Sequence, residues 1–277
     1  MLYRTRIPAA PLAAHIDRLW QLSDLPAHPH ERVVPSGTLE LVINLVEDEI
    51  RIYDPTDSAR IRRYSGGVVS GAFSRPFGID TREHASVLGV HFKPGGAFPF
   101  LGLPLNELAD AHADLETLWG APARGLRDRL CEAGPVERFS ILEDALRHRL
   151  RPVQRHPAVS MALEQLAHGA VPVSDLAKQS GLSHRRFIEV FRAEVGMTPK
   201  RFSRVRRFER AITLARKAGT PDPSSGTPQR RWPQLALAAG YFDQSHMIAD
   251  FVGFSGFTPG EFISRSTPGV KDGHVVG

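Results

Sequence analysis

Two stretches sixty residues apart share one pattern. FRAEVGMTPKRF (191–202) and FVGFSGFTPGEF (251–262) each read Phe, four residues, Gly, one residue, Thr-Pro, two residues, Phe. Upstream the echo continues, with Leu176-Ala177 five residues before Gly181 and Leu235-Ala236 five before Gly240. Apolar and turn residues that return together mark a duplicated structural unit. A unit of this kind confines the C-terminal part to two copies of one small helical motif.

The first copy begins near PVSDLAKQSGLSHRRFIEVFRAEVG. Ser174 is an expected N-cap of a short helix that stops at Gly181, whose missing Cβ permits the left-handed turn. Ser183 is an expected second N-cap, followed by a helix over 184–195. Helix, glycine turn, helix is the helix-turn-helix signature. Phe187, Val190 and Phe191 recur at i, i+3, i+4 and define a buried stripe. At 100° per residue Arg185, Ile188, Glu189 and Arg192 fall on the opposite face, with Ser183, His184 and Arg186 at its N-terminal end. Arg pairs bidentately with guanine and Glu accepts from cytosine, so this face suits a major groove. An ordinary amphipathic helix is the bland alternative, and the duplication argues against it.

In the second copy Gly240 is the turn, Asp243 the expected N-cap, and Met247 and Phe251 the buried stripe. Its outward face is Ser245, Ile248 and Ala249, flanked by Gln244 and His246. Gln reads adenine, whereas small apolar groups meet a thymine methyl or the sugar edge. Two unequal readers follow, the first discriminating bases and the second mainly positioning. Between them, Phe202, Val205, Phe208 and Ile212 keep helical spacing behind Pro199, which is tolerated in a first turn. One helix of about 18 residues spans roughly 27 Å at 1.5 Å per residue. A rod of that length holds two readers about one DNA turn apart. Arg204 and Arg207 on it are candidate phosphate contacts.

Charge supports the same division. Residues 1–150 carry 17 Lys/Arg against 20 Asp/Glu, and residues 151–277 carry 18 against 10. A basic half joined to a mildly acidic one points to a polyanion partner for the C-terminal part. No apolar run reaches the roughly 20 residues a membrane span needs. The single cysteine, Cys131, fits a reducing cytoplasm and leaves no internal disulfide.

LAKQSGLSHRRFIEVFRAEVGMTPKRF and LALAAGYFDQSHMIADFVGFSGFTPGEF resemble the DNA-binding domain of the AraC/XylS family of bacterial transcriptional regulators, and the resemblance covers residues 157–265. It implies a seven-helix, two-lobe domain binding adjacent major grooves of double-stranded promoter DNA, with RNA polymerase as a further partner. Two departures stand out. The connection Thr220–Arg231 is long and rich in Pro, Ser and Gly, which reads as a flexible loop that sets Arg230-Arg231 near a phosphate. Ala249 stands where the family's second reading helix usually carries a basic residue.

The N-terminal part is less explicit. TLELVINL (38–45) alternates with Leu39, Leu41, Ile43 and Leu45 on one face, a strand pattern. VEDE then reads as a hairpin turn into EIRIYD. SVLGVHF (86–92) is another strand, and Gly66, Gly67 and Gly71 mark bends between shorter ones. From Leu105 the pattern turns helical, through NELAD, DLETLWG, 122–133 and 135–150. LGVHFKPGGAFPFLGLPLNELAD resembles part of an uncharacterised domain attached to some of these regulators. Regulators of this resemblance commonly carry a ligand-sensing or dimerising domain here.

The expected fold is therefore α+β: a β-rich sensing or dimerisation domain over 1–150 with trailing helices, a linker over 151–156, an all-α tandem helix-turn-helix domain over 157–266, and a flexible tail over 267–277. The expected function is sequence-specific transcriptional regulation without catalysis, cofactor or metal, with a small-molecule effector or self-association at the N-terminal domain. A DNA-repair or methyl-transfer protein docking through the same module needs an activated cysteine, and Cys131 in RLCEAG lacks a partnered His or Arg. His28 and His30 flank a proline without further ligands at metal spacing. His91 reads as a packed or exposed histidine rather than a pocket group, and Trp20 and Trp119 as core.

Overall fold

The computed structural model describes residues 2–23, 31–57, 59–169, 171–217, 232–266 and 274–276. His28, His30 and the connection Thr220–Arg231 lie outside these residues, as does most of the tail.

Eleven strands form two sheets among the described residues. One sheet contains β1 (Leu2–Arg6), β2 (Ile16–Ser23), β4 (Glu40–Asn44), β7 (Gly67–Ser70), β9 (Ser86–Phe92) and β10 (His112–Asp114), in the order β1-β2-β9-β4-β7-β10. The other contains β3 (Glu31–Val33), β5 (Glu49–Tyr53), β6 (Ile61–Ser65), β8 (Phe77–Ile79) and β11 (His274–Val276), in the order β11-β3-β8-β5-β6. All pairings are antiparallel.

The VEDE segment is not a hairpin turn, because β4 and β5 lie in different sheets. Asn44 explains the change of direction. It is fully buried, its Oδ1 accepts from the backbone of Val46 and Glu47 at 3.0 Å each, and its Nδ2 donates to the Glu83 carbonyl at 2.9 Å. An asparagine side chain that satisfies two following amides folds the chain back on itself, and here it sends the chain across the sandwich. The tail is corrected as well: 274–276 add a strand to the edge of β3.

The two faces of the six-stranded sheet are used differently. Leu41, Ile43, Val69, Leu88 and Val90 point into a large core. That core is shared with α2 (Leu115–Trp119), α3 (Ala121–Glu132) and α4 (Glu137–Arg149), reached after α1 (Phe98–Leu101). Leu126 and Leu130 on α3, and Phe139, Leu142 and Leu146 on α4, keep the i, i+3, i+4, i+7 spacing that one buried face requires. NELAD forms only a 3-10 turn over Leu105–Leu108, with strand β10 inserted after it. On the opposite face, among the described residues, only Ile50, Ile52 and Val68 make a buried cluster between the sheets. The space between the sheets is therefore incompletely filled.

Residues 151–156 are non-helical, and His156 caps the next helix, its Nδ1 accepting from the Ala158 amide at 3.1 Å. Seven helices follow among the described residues: α5 (Pro157–His168), α6 (Val173–Ser180), α7 (His184–Val195), α8 (Pro199–Lys217), α9 (Trp232–Ala239), α10 (Gln244–Ser255) and α11 (Pro259–Arg265). The cap of α6 is Pro172, so Ser174 lies inside that helix. Proline's fixed φ suits it to a helix start, and no side chain caps the first turn of α6.

Candidate nucleic-acid interface

Each lobe is a short helix, a glycine turn and a longer outward helix. Gly181 and Gly240 hold φ of +70° and +91°, a region that side chains with a Cβ rarely enter. Ser183 Oγ accepts from the Arg186 amide and Asp243 Oδ1 from the His246 amide, at 3.3 and 2.7 Å. These caps leave the N-terminal ends of α7 and α10 facing solvent, where orphan amides and the helix dipole favour an anion.

On α7 the stripe Phe187, Val190 and Phe191 is buried, and Ser183, His184, Arg185, Arg186, Glu189 and Arg192 are exposed, with Ile188 half-buried. Arg185, 91 % exposed at its side chain, donates from Nε to Glu189 Oε1 at 2.9 Å, and Arg186 approaches Glu189 Oε2 at 3.5 Å. The hydrogen bond from Arg185 holds the Glu189 carboxyl below the usual carboxylate range. Exposed pairs of this kind add little to stability, since water screens them. They orient the arginines at little cost to releasing them.

On α10, Met247 and Phe251 are buried, Ser245, His246 and Ala249 exposed, and Gln244 and Ile248 half-buried. The second outward face thus carries no fixed cation of its own. Thr258 and Glu261 form a reciprocal capping box that starts α11 behind it.

The connecting helix departs from expectation. Arg204 and Arg207 are committed to the second lobe rather than standing free for phosphates. Arg204 binds Asp250 Oδ1 from Nε and Nη2, at 3.1 and 2.6 Å, and lies over the Phe254 ring. Arg207, 15 % exposed at its side chain, has Nη2 at 3.8 Å from Asp250 Oδ2 and packs over the Tyr241 ring. Burial and the Asp250 charge push the Tyr241 phenol up. Other cations on α8 are also tied down: Arg201 to Asp110, Arg206 to Glu209, Arg210 to the Ala239 carbonyl and Arg216 to Ser266. Asp250 is the residue that sequence reasoning missed. Its signal was an acid within the stripe Met247, Phe251, Phe254, where an unpaired charge would be costly.

The N-terminal domain grips both outward helices at their C-terminal ends. A Cβ on Gly196, φ +91°, would stand 2.9 Å from Ala72 Cβ. At the other lobe, Arg32 from β3 donates to the Ser255 carbonyl at 3.2 Å and lies over the Phe257 ring, where a Cβ on Gly256 would meet Nη1 at 2.3 Å.

Between the two sheets lies a small, partly open cavity. Its lining is mostly apolar, with Trp20, Val33, Val42, Ile52, Val68 and Phe77 prominent, and includes Glu31, Glu40, Ser70, Thr81 and His84. Trp20 Nε1 donates to Glu40 Oε1 at 2.8 Å. Alternation on β3 turns Glu31 and Val33 to the cavity and Arg32 to α10. Trp20 is buried and also lines the cavity, Trp119 is core, and His91 is packed beside Thr38 and Glu40 instead of lining the cavity. Cys131 is half-buried, its Sγ 3.5 Å from the Leu45 carbonyl. Among the described residues no three metal-ligating side chains come together, and no helix is long and apolar enough to cross a membrane.

Two capped helix-turn-helix lobes on one connecting helix, joined to a β-rich domain, define a DNA-binding transcription regulator. Comparison with known proteins agrees. Residues 176–265 match a helix-turn-helix domain family, of the AraC type, and residues 4–114 match a domain of unknown function (DUF6597). The C-terminal module is therefore the tandem helix-turn-helix of AraC-type regulators. No curated protein matches the sequence. Among solved structures, apo ToxT from Vibrio cholerae aligns at 12 % identity over 90 % of this chain and 98 % of its own, with a TM-score of 0.46. ToxT with an unsaturated fatty acid bound aligns at 10 % identity over 91 % and 96 %, with a TM-score of 0.44.

Proposed function

We propose that the chain reads a promoter through unequal contacts from its two lobes, under control of an effector in the N-terminal domain. Arg185 and Glu189 of α7 discriminate bases, with His184, Arg186, Ile188 and Arg192 at the edges of the groove and Ser183 at the helix cap. Gln244, Ser245, His246, Ile248 and Ala249 of α10 position the second lobe. The observation that carries this reading is the free, capped N-terminal end of each outward helix, on a chain whose N-terminal domain holds only their C-terminal ends. Arg204 and Arg207 set the angle between lobes through Asp250 and stand back from the phosphates.

The incompletely filled sandwich supports an effector site for a small, largely apolar molecule. Its coupling to DNA runs through β3, because Glu31 and Arg32 occupy opposite faces of the same strand. The same domain is the place for self-association, RNA polymerase is the partner a promoter-bound regulator meets, and the cytoplasm is where both are found. No residue is assigned a catalytic role.

Enrichment of duplexes from a random pool by the full chain, followed by footprinting, tests the reading. Two protected major-groove segments on one face of the duplex, about one turn apart, are expected. Recovery of no common sequence would sink it.

A further inference from the structure

The outward face of α10 does not end at solvent. Ser245, Ala249, Val252 and Gly256 follow at i, i+4, i+7 and i+11, one stripe along the helix. The last two, with Gly253, form one wall of an open cleft whose opposite wall is the N-terminal domain. Arg32, Arg60, Arg62 and Arg75 line it against two aspartates, Asp54 and Asp110. Both acids are already engaged: Asp54 accepts from Thr56 and Asp57, and Asp110 from Ser74 and Arg201. Arg62 and Arg75 are exposed, and their side chains have no ion-pair or hydrogen-bond partner among the described residues. The cleft is therefore a cationic extension of the reading face.

Gly253 gives a second, independent pointer. It lies inside α10, where glycine is less favourable than alanine. A Cβ there would meet nothing within 4 Å, so this chain's own packing does not require it. Glycine also marks a place where another backbone approaches closely.

We infer that the cleft seats the sugar–phosphate strand flanking the segment read by α10, with Arg62 and Arg75 of the N-terminal domain contacting phosphates and Gly253 admitting the strand. This rests on the DNA-reading proposal above. The dimensions agree: Ser245 to Val252 is about 10 Å along the helix, and the major groove is about 12 Å wide. A strand bounding the groove that holds the N-terminal end of α10 thus passes the cleft. Dispersed, exposed guanidinium groups suit a repeating chain of phosphates, whereas a single small anion favours convergent donors.

The test uses the full chain and the duplexes it enriches from a random pool, with affinity followed over a salt series. Arg62→Ala combined with Arg75→Ala should lower the slope of log K against log salt by about 2, near 0.9 per lost phosphate contact. Hydroxyl-radical protection should also disappear beyond the second lobe. Arg124→Ala on α3 should leave slope and footprint as in the wild type. Gly253→Leu should fold with an unchanged or raised Tm yet bind about tenfold more weakly, the order expected for displacing one or two phosphate contacts. Wild-type slope and footprint in the double variant, or wild-type affinity in Gly253→Leu, would overturn the inference. So would inorganic phosphate raising the Tm through Arg62 and Arg75 while DNA slopes stay equal, since the cleft would then hold a free anion. Failure of the DNA-reading proposal itself shows separately, as no enrichment by the wild type and no effect of Arg185→Ala.

Discussion

Arg204 of the connecting helix donates from Nε and Nη2 to Asp250 of the second outward helix, at 3.1 and 2.6 Å, and the Asp250 side chain is only 1 % exposed. A carboxylate taken out of water in this way is tolerable only with its cations in place. Asp250→Ala leaves Arg204 and the largely buried Arg207 without their anion. We expect a loss of about 3 kcal/mol, at the low end for a broken buried pair because Arg204 keeps part of its solvent. Chemical denaturation measures it. Arg204→Ala should cost less, since Arg207 remains near Asp250, and the double variant should fall short of the sum. Additive losses would show that the three groups do not act as a unit.

Arg185→Ala removes a highly exposed cation of α7 together with its bond to Glu189. Its expected cost is about 1–3 kcal/mol of discrimination at one base pair. Competition between the enriched duplex and single-base variants reads this directly. Equal weakening on enriched and random DNA would assign Arg185 to the backbone instead.

His112 is set among the rings of Phe73, Phe77 and Tyr64, and its Nε2 finds no hydrogen-bond partner among the described residues. Burial, reinforced by the positive charge of Arg62, lowers its pKa from 6.5 to about 3. A base whose folded pKa is depressed binds its proton preferentially in the unfolded chain. Its contribution is thus fully present above pH 6.5 and is lost as pH falls toward 3. The loss over that window is on the order of several kcal/mol. His112→Phe should flatten the Tm between those limits, and an unchanged pH profile would count against the assignment.

Gly196 and Gly181 separate two costs of a side chain. Both have positive φ, but a Cβ on Gly181 meets nothing within 4 Å whereas one on Gly196 presses on Ala72. Gly181→Ala should cost about 1 kcal/mol from backbone strain alone. Gly196→Ala adds the clash with the N-terminal domain, and should also raise proteolytic cleavage within 151–156. Identical losses and identical digestion would show that the domain contact at Gly196 carries no stability.

Much of the helical architecture was legible in the chain. Phe187 with Phe191, Gly181 with Gly240, and Ser183 with Asp243 state stripe, turn and cap locally, because each acts within four residues of itself. Strands β4 and β9 were legible for the same reason, their alternation being a local property. The destination of the connection after β4 was not, since the Asn44 turn leads into the other sheet and is anchored by a bond from Asn44 to Glu83, thirty-nine residues away. The role of Arg204 and Arg207 was equally hidden: a basic helix face looks alike whether it meets phosphate or a buried aspartate. By itself the sequence determined two capped helix-turn-helix units on one rod and a β-rich partner. Only the tertiary structure decided which cations are spent on Asp250, that the sheets enclose a cavity, and that Arg62 and Arg75 stand beside α10. Periodicity and capping are short-range, whereas charge pairing, cavities and domain contacts depend on which distant surfaces meet.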